Sequence, residues 1–309
     1  MSGHLTITEV GLRDGLQTLS AFIPTAAKRE LLAALAQAGL RSIEATSFVS
    51  PRAVPQLSDA EALFTSGEAL GIARLSALVP NRRGLERAMM AGVREIAVVV
   101  AATETLNQRN IRMSLAQALD EGAATLAQAR SLGLATRGYV AVALGCPYEG
   151  EVTQSQALAV AERLRAAGAQ EVVLADTIGA AGPGQVKRLF RTAAGVLGAD
   201  VLAGHFHDTR GLGLANVCAA LDAGVTRFDS SVGGLGGCPF APGAAGNLAT
   251  EDLVVLARQE GLETGVDLAA MVRAVDTAMA ITGQPLGGRS LGWLRRGVPP
   301  QAQPHSQSH

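Results

Sequence analysis

Two histidines stand two residues apart in Gly204-His205-Phe206-His207-Asp208-Thr209, directly after the apolar run Val201-Leu202-Ala203. The chain has five histidines; His4 is near its start, and His305 and His309 lie in a polar tail. On a strand, residues i and i+2 face the same side, so both internal imidazoles aim at one place. A strand supplies two nitrogen ligands to a metal ion in this way. A single histidine would read as a hydrogen-bonded residue at a strand end. A pair followed by Asp208 favours ligation.

Other polar residues able to share that chemistry end other apolar runs. In Glu9-Val10-Gly11-Leu12-Arg13-Asp14-Gly15-Leu16-Gln17, Asp14 offers an oxygen ligand and Arg13 an oxyanion stabiliser. Asp-Gly is equally a turn pair. Glu44 and Thr46 share one face of the next run; a carboxylate inside the fold needs a partner, and Arg13 is available, whereas a surface Glu44 needs none. Tyr139 fits core packing with a satisfied hydroxyl. Asp176 either closes a loop or acts at a strand end. The segment from Gly233 to Asn247 holds six glycines and no charge, which suits a lid, a phosphate cradle or a plain connection. Cys238 at its centre is a liability unless used, and Asn247 offers an amide oxygen. Asp14, His205, His207 and Asn247 form a nitrogen and oxygen set without thiolate. Such a set favours Mg²⁺ or Mn²⁺, with Zn²⁺, Co²⁺ and Fe²⁺ as alternatives.

The elements that must position these residues alternate in type. Strands are predicted at Leu5–Val10, Ser42–Thr46, Arg74–Val79, Glu95–Ala101, Arg137–Ala143, Glu171–Ala175, Val201–Phe206 and Arg227–Ser230. Helices are predicted at Thr25–Ala38 with Thr25 as N-cap, Arg82–Ala91, Ser114–Leu132, Gln154–Ala167, Pro183–Val196, Leu212–Ala223 and Thr250–Glu260. Most end at a glycine, as helices commonly do. Strand–helix alternation implies a parallel sheet, and a count of about eight strands suits a closed (β/α)₈ TIM barrel. A doubly wound open sheet is the alternative, but Gly11-Leu12-Arg13-Asp14-Gly15 lacks the G-x-G-x-x-G phosphate turn. In a barrel the active site lies at the C-terminal strand ends, where the polar residues above fall. Residues 1–285 read as the barrel with additional C-terminal helices, and 286–309 as an extension whose end is disordered.

Composition narrows the function. With 309 residues and 48% hydrophobic content the chain can bury a large core. A formal net charge of −1 gives no footprint for nucleic acid, and 3% aromatic residues give no stacking platform. No apolar run approaches the ~18 residues of a membrane span, so no membrane partner is expected. The start of the chain lacks a signal-like core, and Cys146, Cys218 and Cys238 are too scattered for a disulfide framework. A reducing, cytoplasmic setting fits.

From about Leu5 to Leu256 the chain resembles the 3-hydroxy-3-methylglutaryl-CoA (HMG-CoA) lyase family, within the metal-dependent barrel lyases, aldolases and acyl-transferring synthases. The resemblance rests on the segments 9–17 and 44–51, Arg137-Gly138-Tyr139-Val140, Gly145-Cys146-Pro147-Tyr148-Glu149-Gly150, Asp176-Thr177-Ile178-Gly179, 205–209, 234–241 and 246–252. The cysteine loop and the 145–150 segment are specific to the lyase branch. The resemblance implies a (β/α)₈ barrel, a metal on Asp14, His205, His207 and Asn247, a homodimer, and cleavage of HMG-CoA to acetyl-CoA and acetoacetate. It implies that Arg13 neutralises the enolate, Glu44 orients Arg13, Asp14 or His205 relays a proton, and Cys238 helps protonate the enolate carbon. It also implies a role for Asp176, and an acyl-CoA pocket lined by Gln17, Ser47, Tyr139 and Thr177. Arg109 and Asn110 are candidate contacts to the CoA phosphates. Many relatives carry Asn-Glu-Lys after the residue matching Gln17, whereas this chain has Thr18-Leu19-Ser20. A longer 3-hydroxy-3-alkylglutaryl-CoA is therefore an alternative substrate; a related condensing synthase, a keto-acid aldolase and a non-catalytic metal- or acyl-CoA-binding protein are the alternative functions.

Overall fold

In the computed structural model, residues 3–67, 70–237 and 246–297 are described. Eight parallel strands close in chain order: β1 (Thr6–Glu9), β2 (Ser42–Ser47), β3 (Arg74–Leu78), β4 (Glu95–Ala101), β5 (Ala135–Ala141), β6 (Glu171–Asp176), β7 (Leu202–Phe206) and β8 (Arg227–Ser230). The seam is the pairing of β8 with β1, from Thr6 opposite Arg227 to Glu9 opposite Ser230. The expected (β/α)₈ barrel is the fold. β5 starts at Ala135 and stops at Ala141, short of the expected Ala143. Val142 ends it by turning to φ 51°, where its N–H donates to Thr177 Oγ1 at 2.9 Å.

Alternation along the strands separates two interiors. Residues facing the helices join a large apolar core that includes Leu31, Ile43, Leu126, Leu164, Phe190 and Val254. Inside the barrel the apolar cluster is small: Ala97, Tyr139, Val173 and Ala203, with Val99 beside it. Charge fills much of the rest. Arg137, 1% exposed, donates through Nε to Glu171 (2.6 Å) and through Nη2 to Asp229 (2.7 Å). Arg74 pairs with Glu95 and, at 3.5 Å, with Glu171. A buried charge costs several kcal/mol unless paired, so these contacts are a condition of closure.

Helix ends follow the sequence with a few exceptions. Ser114 and Thr153 each form a capping box, with Gln117 and Gln156 respectively. Thr25 does not cap: the helix Thr25–Gln37 begins on it, and its hydroxyl instead donates to Asp59 at 2.7 Å. Among the elements not expected are a π-helical turn at Gly11–Gly15, a small sheet pairing Gly3–His4 with Leu262–Glu263, and helices at Ala60–Gly67 and Glu104–Ile111. The last reads Glu-Thr-Leu-Asn-Gln-Arg-Asn-Ile and has no apolar stripe to announce it. Beyond the barrel, Leu268–Thr282 is a helix capped by Asp267, and Leu291–Leu294 a single turn. The chain between them is gripped by buried carboxylates: Gly288 N donates to Glu251, and Arg289 N and Ser290 N donate to Asp252. The expected disorder at the chain's end falls outside the described residues. Among the described residues no helix is long and apolar enough to cross a membrane.

One side chain fastens the seam at the mouth. Glu9, fully buried at the end of β1, accepts hydrogen bonds from Gly11 N (2.8 Å), Val232 N (2.9 Å) and Thr250 Oγ1 (2.6 Å). A side chain at Gly11 would place its Cβ 2.7 Å from Glu9 Oε1, so glycine alone allows that approach. Burial raises the Glu9 carboxyl to about 7, against the pull of its three donors. The folded protein thus holds this proton more tightly than the unfolded chain. The resulting stability is present below the ordinary glutamate range and fades as pH rises through about 7. In Glu9→Gln the amide oxygen can still accept both backbone N–H groups, and its NH₂ can donate to Thr250, with no proton to lose. Thermal unfolding of metal-free protein should show wild type losing stability between about pH 4.5 and 7 while Glu9→Gln declines less. Equal pH slopes in the two proteins would remove Glu9 from this role.

Candidate metal centre

The π-helical turn winds around one carbonyl. Val10 O accepts from Arg13 N (3.1 Å), Asp14 N (2.7 Å) and Gly15 N (3.3 Å). Such turns recur at functional sites because they re-aim side chains at an element's end. Here the turn directs Arg13 and Asp14 at neighbours across the mouth. Arg13 Nε donates to Glu44 on β2, and Nη1 to Asp14. Its guanidinium also lies over the Tyr139 ring, 5.9 Å from the centroid. Burial works against the charge on Arg13, but Glu44 and Asp14 outweigh it and keep the group cationic. Gln17 Nε2 donates to Asp14 Oδ1 at 2.7 Å.

β7 brings the histidines to the same place. Their rings lie 5.3 Å apart, and His207 Nε2 is 4.0 Å from Asp14 Oδ2. One ligand atom each from Asp14, His205 and His207 fall within 4.8 Å of one another. Asn247 arrives by backbone pairing with His207, and its Nδ2 donates to Asp14 Oδ2 at 2.9 Å and Leu235 O at 3.2 Å. Asn247 Oδ1 and His207 Nδ1 are buried without a hydrogen-bond partner. An amide oxygen buried in this way is costly, and a cation beside Asp14 would satisfy it.

The charge states suit ligation. Burial disfavours the Asp14 anion, yet Arg13, His205, His207 and the Asn247 amide more than offset this and hold its carboxyl at about 2. Burial, His205 and Arg13 push the His207 imidazole down to about 4, against the attraction of Asp14. At neutral pH the group therefore presents an ionised carboxylate and a neutral His207 ring, the forms that bind metals. The residues fit a divalent ion of the hard or borderline kind.

Asp229 on β8 lies beneath this cluster and did not stand out in the sequence. Its Oδ2 is 3.2 Å from His205 Nδ1 and accepts from Tyr139 OH at 2.6 Å; its Oδ1 accepts from Arg137. Burial opposes its charge, but Arg137 and His205 hold the carboxyl well below the usual range. The signal was present: Arg227 and Asp229 alternate on a strand, as His205 and His207 do.

The other candidate residues are placed as follows. Tyr139 is 3% exposed, and its hydroxyl is engaged by Asp229 and by Arg137 Nη1 at 2.8 Å. Ser47 Oγ accepts from Val49 N, and Thr177 Oγ1 from Val142 N, so both are tied to backbone. Asp176 accepts from Ala180 N (2.9 Å) and Ala181 N (3.0 Å), closing its loop, while its carbonyl accepts from His207 N at 3.4 Å. Arg109 and Asn110 sit on Glu104–Ile111, after β4, with Arg109 4.3 Å from the centre of the Tyr148 ring. No described contact joins Arg109 or Asn110 to the histidines. Cys238 lies outside the described residues. Gly237, just before it, donates its N–H to Thr18 Oγ1 at 3.3 Å.

The sequence model of the HMGL-like family matches residues 4–277. A Pseudomonas mevalonii protein named hydroxymethylglutaryl-CoA lyase is 46% identical over 267 residues, covering 86% of this chain and 89% of its own. A Pseudomonas aeruginosa protein named 3-hydroxy-3-isohexenylglutaryl-CoA/hydroxymethylglutaryl-CoA lyase is 43% identical, covering 92% of this chain and 95% of its own. The crystal structure of a hydroxymethylglutaryl-CoA lyase from Pseudomonas aeruginosa superposes with a TM-score of 0.92 at 42% identity, over 96% of this chain and 98% of that one. The chain belongs to the HMGL-like family.

Proposed function

We propose that this protein is a carbon–carbon lyase that cleaves 3-hydroxy-3-methylglutaryl-CoA to acetyl-CoA and acetoacetate. The observation that carries the reading is the meeting of Asp14, His205 and His207 at the barrel mouth, with Arg13 hydrogen-bonded to Asp14. The names of relatives at this identity and coverage supply the substrate. Asp14, His205, His207 and Asn247 would hold Mg²⁺ or Mn²⁺. When bound, the ion supplies Lewis-acid polarisation of the substrate's hydroxyl and carbonyl oxygens.

In a retro-Claisen cleavage the C3 hydroxyl gives up its proton and becomes a ketone as C2–C3 breaks. The bonding pair passes to C2 as a thioester enolate, which takes a proton to become the acetyl methyl. Arg13 is preset by Glu44 and Asp14 to face the enolate oxygen, so little reorganisation is needed as charge develops. Asp14 and His205 are the two groups at hand to accept that proton. The proton falls to His205, and to its Nε2, since Nδ1 faces Asp229. Nε2 is also the atom with which His205 would hold the ion, so that nitrogen would serve either ligation or proton transfer. Cys238 supplies the proton to C2. Glu44 orients Arg13, and Gln17 steadies Asp14. Ser47, Tyr139, Asp176 and Thr177 shape the pocket behind these groups. Arg109 and Asn110 serve the CoA end. A homodimer in the cytoplasm, with no nucleic-acid or membrane partner, completes the reading. A longer 3-alkyl substrate is the second reading, favoured by the isohexenyl compound in the name of one relative.

Purified protein given HMG-CoA with Mg²⁺ or Mn²⁺ should release acetyl-CoA, and EDTA should stop it. Release from the isohexenyl homologue alone would support the second reading, and no release from either with metal bound would end both. Asp14→Ala should weaken Mn²⁺ binding by at least about tenfold in a direct titration; unchanged affinity would remove Asp14 from the ligand set. Cys238→Ser should lower kcat by about 10²-fold or more with KM little changed, as expected for a lost proton donor. An unaltered kcat would leave Cys238 without that role.

A further inference from the structure

The mouth does not stand on its ligands alone. Behind His205 runs a line of buried groups of alternating charge. Arg137 donates to Asp229 Oδ1 at 2.7 Å, and Asp229 Oδ2 meets His205 Nδ1 at 3.2 Å. Tyr139 OH donates to the same Oδ2 at 2.6 Å and accepts from Arg137. Burial keeps the tyrosine protonated, so it too is a donor toward Asp229. The carboxylate therefore accepts on both oxygens, and Arg137, with no acceptor atom, cannot reverse its bond. His205 has one choice left, to carry its proton on Nδ1 and turn Nε2 to the mouth.

We infer that Asp229, held by Arg137 and Tyr139, is a positioning residue that fixes the tautomer and ring direction of His205. The inference rests on the reading of His205 as a residue that works through Nε2. A carboxylate behind a ligating imidazole sets which nitrogen is free and raises its donor strength; losing such a partner typically costs about 10–100-fold in metal affinity. Tyr139 lies edge-on to the His205 ring, centroids 6.2 Å apart, and limits its rotation from the side.

The chemistry of the site gives an unusual test. In Asp229→Asn the new amide has one acceptor, and Arg137 can only donate. The oxygen turns to Arg137 and the NH₂ to His205 Nδ1, and the Tyr139 hydroxyl, which donated to this side, turns its proton away and accepts. The ring must then accept at Nδ1 and move its proton to Nε2. Nitrogen-15 NMR of the histidine rings in metal-free protein, above the ordinary imidazole range, reads this directly. Wild type should show His205 as the Nδ1–H tautomer, and Asp229→Asn should show Nε2–H. Mn²⁺ titration followed by EPR should show affinity lower by about 10–100-fold in the variant. An Nε2–H ring in wild type overturns the inference without any variant, as does an Nδ1–H ring or unchanged Mn²⁺ affinity in a folded variant. If wild type takes up no Mn²⁺, the metal reading fails, while the tautomer result still decides the role of Asp229.

Discussion

A guanidinium sealed inside a parallel barrel must be neutralised where it stands, because taking it out of water costs several kcal/mol. Arg137 sits in that position, between Glu171 and Asp229. Its two partners come from different strands: β6 is its neighbour, and β8 stands two strands beyond β6 around the barrel. Much of the interior is arranged around this cation. The apolar filling shrinks to a few small side chains and one tyrosine, and that tyrosine hydrogen-bonds the same pair. What the barrel gives up in apolar burial it regains as direction: Arg137 and Tyr139 hold Asp229, and Asp229 faces His205.

The mouth repeats this logic with the ends exchanged. Arg13 is held between Glu44 and Asp14, and Asp14 also receives Gln17 and Asn247. The functional groups come from three separated parts of the chain, near residues 14, 206 and 247, and two backbone devices join them. Glu9 ties the ends of β1 and β8 to the start of the following helix. The short pairing of His207 with Asn247 brings the Asn247 amide beside the histidines. The chain re-entering the described residues at Gly246 is thus fixed beside the end of β7.

Much of this was legible because it has a period. Alternating apolar runs and glycine-stopped helices gave the barrel, and the i, i+2 spacing of His205 and His207 gave the direction of two ligands. Asp14 and Asn247 could be placed only by chemical type and resemblance, since their meeting depends on tertiary closure. Asp229 escaped because a lone aspartate at a strand end looks like any loop-closing residue; its meaning lies in Arg137, ninety-two positions away in sequence. The helix at Glu104–Ile111 escaped because it rests on polar contacts, such as Asn107 to the carbonyls of Ala101 and Thr103, rather than on an apolar face. The winding at Gly11–Gly15 is not legible beyond the Asp-Gly turn pair, because no local propensity distinguishes a π-helical turn.

Val142 carries a different kind of information. A β-branched residue at φ 51° occupies a region that glycine enters freely and that costs most other residues roughly 1–2 kcal/mol. The torsion is held by two neighbours from β6 and its loop: Thr177 Oγ1 accepts the N–H of Val142, and Ala175 O accepts that of Ala143. The segment that follows closes on itself, with Cys146 and Gly150 paired backbone to backbone. The direction in which the chain leaves β5 is therefore decided by the neighbouring strand and its loop, which hold a torsion that Val142 would not adopt alone.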